Sequence, residues 1–229
     1  KQEMRILGID TSSPKGSIAI TSKDKIISEK AISGNSCFSK NLFILIDSVL
    51  RSADLNIPQI DAFAISIGPG SFTGLRVGLS TALGFSIAQK KPVIPVETLL
   101  AMAHTIPLTE HIICPVIDAR KGEIYTSFFR YNENGKICRT ERDRTITLEL
   151  LANEINKPTL FFGSGLDTYR EVLSRKLKNL AVFDIGFSSF TAASVAKLAY
   201  EKIKKGGKTN STLLKPKYIR RSEAEIRFS

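Results

Sequence analysis

The chain has no tryptophan, two methionines, two histidines and three cysteines among its 229 residues. Each scarcity removes a class of function. Cys37, Cys114 and Cys138 are odd in number, widely spaced and without a CxxC pair, so no disulfide framework is expected and a reducing cytoplasm suits the chain. Cys37 precedes a helix start, where a thiolate would be stabilised, but no histidine stands in a suitable context, so it is expected to be inert. His104 and His111 lie seven apart and form neither HxxxH nor HExxH, so no metal pair on one helical face is expected. They read as a helix-end and a loop histidine. A Walker loop, a nucleophile elbow and a Ser–His–Asp set are also missing, so no catalytic residue is assigned. Long hydrophobic runs are absent too. The least charged stretch, Phe72 to Gln89, is interrupted by Gly, Ser, Thr and Arg76 and reads as a buried helix rather than a membrane span. The start runs directly into the strand-like "MRILGID", which is not a signal peptide pattern; a native start is expected at Met4 or upstream.

Positive charge is what the chain has in excess. The net charge is +11, and nine lysines and arginines against three acids follow Tyr200, which places +6 in the last 29 residues. Two readings of this basic tail stand: a solvated surface segment, or an arm that meets a polyanion such as RNA.

Hydrophobic periodicity divides the chain into two similar halves. In the first, Arg5–Asp10, "SIAIT" and "IISEKAI" read as three strands, with "SPKG" and "SKDK" as turns. A helix over Phe38–Ala53, a strand over Asp61–Ser66, a helix over Phe72–Gln89, a strand over Pro92–Val96 and a short helix follow. In the second, Ile112–Asp118, "EIYTSFFRY" and "KICRTE" repeat the strands. A helix over Thr147–Asn156 opened by a Thr cap, a strand over Thr159–Gly163, a helix over Asp167–Lys178 and the strand "LAVFDI" complete it. A final helix, capped by Thr191, ends the chain's regular structure. Each half is β-β-β-α-β-α-β-α, with Asp10 and Asp118 both ending a first strand. The expectation is an α/β fold of two lobes, each a mixed sheet flanked by helices, which resembles a duplicated ribonuclease H-like arrangement. The lobes are expected over 1–105 and 106–190. The helix at about 191–205 is expected to pack back on the first lobe, with a basic tail over 206–229. This layout resembles the actin, sugar kinase and heat-shock ATPase superfamily.

That resemblance implies a nucleotide gripped by first-hairpin turns. Asp10, Thr11, Ser12 and Ser13 are the candidate residues, with Gly68 and Gly70 of the glycine-rich loop as weaker ones. The second turn, "DARKG", carries Arg120 and Lys121 where a phosphotransferase needs glycine; Asp118 is expected to pair with Arg120 or cap the turn. Gly163 and Gly165 match an adenosine-side loop in part. The stretch "IGPGSFTGLRVG" follows a strand and opens a helix without a P-loop ending. On that helix Gly74, Gly78 and Ala82 recur every fourth residue as a groove of small side chains beside a ridge containing Leu75 and Leu79. A helix apolar around most of its circumference needs cover on more than one side. With Leu42, Leu45, Ile46 and Val49 of the preceding helix, these residues are the expected partner-binding set.

"ILGIDTSS", "ISIGPGSFTGLRVGLSTALGFS", "PVIPVETLLAMA", "VIDARKGEIY" and "LKPKYIRRSEAEI" together resemble the bacterial TsaB family over nearly the whole chain, Arg5 to Ile226. The resemblance implies an inactive paralogue of TsaD, the subunit that carries a metal on a histidine pair and transfers threonylcarbamoyl to the tRNA adenosine next to the anticodon. It implies a bundle formed with TsaD by the two first-lobe helices, a larger assembly with the small ATPase TsaE, and a homodimer when TsaD is absent. It further implies no intrinsic cofactor, ATP or ADP at or near the TsaD interface, and contact with tRNA mainly through the complex. The chain departs from the family at "GNSCFSKNLF", where a His-Ser-Glu-like run is usual.

Overall fold

The computed structural model describes residues 3–14, 16–31, 38–184, 191–207 and 214–219, and side chains from residue 41 onward in the first helix. Cys37, its loop and Lys15 of the "SPKG" turn lie outside the described residues. Two compact units form: Lys1–Ala101 with Ser189–Lys217, and Met102–Ser188 with Tyr218–Ser229.

In the first unit β1 (Arg5–Asp10), β2 (Ser17–Ser22) and β3 (Lys25–Ala31) form an antiparallel meander. Crossovers through α1 (Phe38–Ser52) and α2 (Phe72–Gln89) then add β4 (Ala62–Ser66) and β5 (Val93–Val96) in parallel, giving the order β3-β2-β1-β4-β5. A short helix, α3 (Thr98–Ala103), follows β5.

Strand alternation sorts side chains by size onto the two faces. Leu7, Ile9, Phe63 and Ile65 enter one core with Leu42, Ile46 and Val49 of α1 and Leu79 and Ala82 of α2. Ile6, Ala62 and Ala64 face the other way, against Val195, Ala196 and Ala199 of α6 (Ala192–Lys204). Small residues on both sides bring this helix close. A Cβ at Gly8 would sit 2.2 Å from the Ala192 carbonyl oxygen. Residues 214–217, expected in a separate basic tail, belong to the first unit, with Leu214 packed on its main core.

The second unit repeats the sheet order with an insertion. β6 (Ile112–Pro115), β9 (Phe129–Tyr131), β10 (Ile137–Arg139), β12 (Thr159–Phe162) and β13 (Ala181–Phe183) run β10-β9-β6-β12-β13, the same mixed pattern. α4 (Leu148–Glu154) and α5 (Leu166–Leu177) make its helical layer, and Thr147 caps α4 as expected, its Oγ1 accepting from the Leu150 N–H.

Two expected strands are each cut in half. Ile112–Asp118 divides into β6 and β7 (Ile117–Arg120), and the "EIYTSFFRY" strand divides into β8 (Glu123–Thr126) and β9. β7 and β8 leave the main sheet and join β11 (Arg144–Thr147), a strand the periodicity did not indicate, in a three-stranded sheet of order β11-β8-β7. The chain turns away at Val116, whose N–H bonds to Phe162 O and whose carbonyl accepts from Gly165 N–H, so its partners are the last residue of β12 and the loop after it. Asp118 therefore does not end the first strand of a main sheet, and its equivalence with Asp10 fails.

Candidate partner surface

The helix pair α1 and α2 arises where expected, but the outward face is not the expected one. A Cβ at Gly74 would meet the Thr11 carbonyl oxygen at 2.0 Å, and one at Gly78 would meet Thr11 Oγ1 at 2.1 Å and Ile65 Cδ1 at 2.9 Å. The small-residue groove is thus filled by the chain's own β1 turn and β4. Thr11 Oγ1 donates to Gly74 O at 2.7 Å and completes the seal. Leu42, Ile46, Val49, Leu75, Leu79 and Ala82 are buried as well, all but Leu75 in the core beneath the helices. Of the nine expected partner contacts only Leu45 is even partly exposed. An all-round apolar helix does not reveal which side meets its own sheet, and the close approach of β1 and β4 decides it.

The true outer face has different residues. Thr73, Arg76, Ser80, Gly84 and Ile87 are exposed along α2, at the three- and four-residue spacing of one stripe. Arg76 stacks over the Phe72 ring at 3.8 Å, so the stripe's single charge is already placed on an aromatic surface. From α1, Phe43 and Ile44 stand 58% and 68% exposed, and Ile87 of α2 is 74% exposed. Phe43 touches Phe85 edge-on at 6.2 Å, and Phe85 stacks on buried Phe63 at 5.5 Å, so the surface rings are anchored on the core. A Cβ at Gly84 would meet nothing within 4 Å. The face therefore has an apolar patch of Phe43, Ile44 and Ile87, firmly based and open at Gly84, beside the polar Thr73, Arg76 and Ser80.

The expected nucleotide grip is closed by internal bonds. Asp10 is buried; its Oδ1 accepts from Ser12 N–H at 2.9 Å and from Ser66 Oγ, and its Oδ2 accepts from Thr191 Oγ1. Thr11 and Ser12 are buried too. Ser12 O accepts from Ser71 N–H at 2.6 Å, and a Cβ at Gly70 would collide with that oxygen, which accounts for this glycine. Ser13 is half-buried, and Gly68 backs onto the Lys217 carbonyl. Asp10 is the knot that joins β1, β4 and the start of α6. Thr191 is the N-cap residue, as expected, but its hydroxyl serves Asp10 and makes no capping bond. Ser17 Oγ of β2 caps the helix instead, accepting from Thr191 and Ala192 N–H at 3.1 and 3.0 Å. Glu29 Oε1 takes the next N–H, from Ala193, at 3.1 Å.

Burial raises the Glu29 pKa and outweighs the Ala193 N–H and the Lys197 charge, which both favour the carboxylate. A raised acid pKa means that the folded state holds this proton longer than the unfolded chain. Its contribution to stability is present at acid pH and is lost as pH rises through the raised value. Glu29→Gln keeps an oxygen for Ala193 and removes this loss. Thermal unfolding should show the variant more stable than the parent at pH 7 and level with it below the ordinary glutamate range.

Comparison with known proteins fits this layout. The family model described as TsaD, tRNA N6-adenosine threonylcarbamoyltransferase, matches residues 25–228. The Bacillus subtilis tRNA threonylcarbamoyladenosine biosynthesis protein TsaB is 27% identical over 230 residues, covering 98% of each chain. The chain belongs to the TsaB branch of the TsaD family. A Pseudomonas aeruginosa crystal structure, of a protein described as similar to peptidase YeaZ, superposes with a TM-score of 0.78 at 22% identity, covering 95% of this chain and 100% of that one. Component A of the Acidaminococcus fermentans (R)-2-hydroxyglutaryl-CoA dehydratase gives a TM-score of 0.52 at 11% identity, over 88% and 99%. These two likenesses show the fold alone, the actin-like ATPase architecture.

The second unit of this TsaB-family chain uses its candidate residues structurally. Asp118 both caps its turn and pairs with Arg120: Oδ1 accepts from Arg120 N–H at 2.7 Å and from Tyr169 Oη at 3.1 Å, and Oδ2 lies 3.7 Å from Arg120 Nη1. Gly163 and Gly165 admit Val116, whose carbonyl oxygen would lie 2.6 and 3.1 Å from their added Cβ atoms, so close chain approach accounts for both. Burial pushes the Cys114 thiol up to about 12, and its Sγ meets Thr126 Oγ1 at 3.1 Å, an inert setting. Burial also lowers the His104 pKa, while His111 Nδ1 meets Thr109 Oγ1 at 3.0 Å. Among the described residues no group of three or more His, Cys, Asp and Glu could hold a metal ion, and no helix is long and apolar enough to cross a membrane.

Proposed function

We propose that this chain is a noncatalytic scaffold subunit in the synthesis of tRNA threonylcarbamoyladenosine, working in the cytoplasm and docking a TsaD-type catalytic subunit through the outer faces of α1 and α2. The observation that carries this reading is the anchored apolar face of Phe43, Ile44, Gly84 and Ile87, which nothing among the described residues of its own unit covers. The names of the relatives supply the pathway: the Bacillus subtilis protein is named for threonylcarbamoyladenosine biosynthesis, and the family model for the transferase. Transfer to the adenosine next to the anticodon is then the partner's chemistry. ATP or ADP is held at or near the interface, the ATPase TsaE joins the larger assembly, and tRNA is met mainly through the complex. Without its partner, the same face pairs two copies of the chain.

Engagement of Asp10 by three internal donors weighs against a stand-alone ATPase or phosphotransferase, which needs that carboxylate for metal and water. Co-expression with the cognate TsaD-type subunit tests the proposal. A stable one-to-one complex is expected, with modified nucleoside in tRNA, measured by mass spectrometry, only when both chains are present. Chains that elute separately, or modification that persists without this chain, would overturn it.

A further inference from the structure

The described part of the C-terminal basic run makes specific bonds within its own unit. Lys217 N–H donates to Ile67 O at 2.7 Å, just beyond β4, in the loop that leads into α2. A Cβ on Gly68 would stand only 2.8 Å from the Lys217 carbonyl oxygen, so the glycine makes room for this segment. Lys217 Nζ meets Glu97 Oε1 at 2.6 Å. Glu97 directly precedes α3, and Thr98 is tied to Gly68 through both backbone groups: Thr98 N–H donates to Gly68 O at 3.0 Å and Thr98 Oγ1 accepts from Gly68 N–H at 3.1 Å. One residue therefore clamps the β4–α2 loop against the β5–α3 loop, while Leu214 seats the segment on the core beneath α1 and α2.

We propose that Leu214–Lys217 is an intramolecular strap that holds the loop into α2 and thereby orders the docking face, with Lys217 as its positioning residue. The second half of this proposal rests on the reading of α1 and α2 as the partner surface. Both side chains of the Lys217–Glu97 pair are about one-third exposed, 37% and 33%, so solvent weakens the ion pair. The backbone bond to Ile67 and the packing of Leu214 hold more of the strap. Lys217, one of the basic residues that suggested an RNA arm, is already committed to a carboxylate of its own chain.

Hydrogen exchange by mass spectrometry on the whole protein tests this. Compared with a chain ended after Lys217, which lacks the same last residues but keeps the strap, ending the chain after Thr212 should speed exchange of the amides over 67–75 about tenfold, with β12 of the second unit equal in the two as the control. Lys217→Glu should give a smaller acceleration, about threefold, which the double variant Glu97→Lys with Lys217→Glu reverses. Retention of the TsaD-type subunit should fall in the same order. Unchanged exchange over 67–75 in the shortened chain overturns the strap. So does a loss of tRNA retention without any exchange change, which would make the segment a nucleic-acid arm. Faster exchange with full partner retention overturns the coupling to docking. If the intact chain itself does not bind the TsaD-type subunit, the partner reading fails while the exchange arm still decides the strap.

Discussion

Gly78→Ala should destabilise the first unit by about 2–3 kcal/mol, although the same exchange in an open helix stabilises by about 0.5–1 kcal/mol. The sign reverses because the added Cβ would sit 2.1 Å from Thr11 Oγ1 and 2.9 Å from Ile65 Cδ1. Neither neighbour is free to move. Thr11 Oγ1 is bonded to Gly74 O, and Ile65 is fully buried in the sheet. Thermal or urea unfolding measures the loss, which is a large part of the stability of an ordinary domain. Adding Thr11→Ala removes the nearest atom and should recover much of the loss, a non-additive result expected only of touching residues. Gly78→Arg, which the sequence pattern alone places in a partner groove, should fail to fold rather than fold and fail to bind. A well-folded Gly78→Ala protein of parental stability would show that the groove is not closed by β1 and β4.

Gly84→Arg, six residues further along the same helix, should do the opposite. No atom lies within 4 Å of the added Cβ, and arginine has the better helix propensity, so stability should hold or rise by about 0.5–1 kcal/mol. The new side chain would project from the middle of the stripe between Ser80 and Ile87. A buried charge without a partner, together with lost packing, should weaken association with the TsaD-type subunit at least about 100-fold. Copurification and sedimentation of the variant read this directly, and self-association of the isolated chain should fall with it. Full copurification of a normally stable Gly84→Arg protein would remove α2 from the interface. The pair of glycines separates two claims, since Gly78 reports on how the unit is built and Gly84 on what it binds.

Much of the fold was legible as local pattern. α2 spans the expected Phe72–Gln89 because a Gly- and Pro-rich loop starts it and an uninterrupted helical run follows, with Ser71 accepting from Gly74 N–H at its start. α1 differs from expectation by one residue at its end. The order of the five strands in the first unit follows from a meander and two crossovers. In the second unit the same logic over-reached. "EIYTSFFRY" has the composition of one long strand, yet its two halves pair with different neighbours, β8 with β11 and β9 with β10. Strand composition carries no record of the partner, so a strand that changes sheets midway looks continuous.

The candidate site was harder to read, for a related reason. The acid at Asp10 was visible, but its satisfaction comes from Ser66 and Thr191, 56 and 181 residues further along the chain. No local spacing encodes that meeting. Likewise Ser17 caps a helix that begins 175 residues later.

What the order of residues settled unaided is the helices and most of the strands, the twofold repeat and the kinship with the TsaB family, since these depend on short-range periodicity and long motifs. What only three dimensions settled is direction: which side of α2 is sealed by Thr11 and Ile65, and which side, with Phe43, Ile44 and Ile87, remains in solvent. A helix apolar on every side can be rotated without changing its pattern, and only the backbone of the neighbouring strands, close enough to exclude a single methyl group at Gly74 and Gly78, removes that freedom.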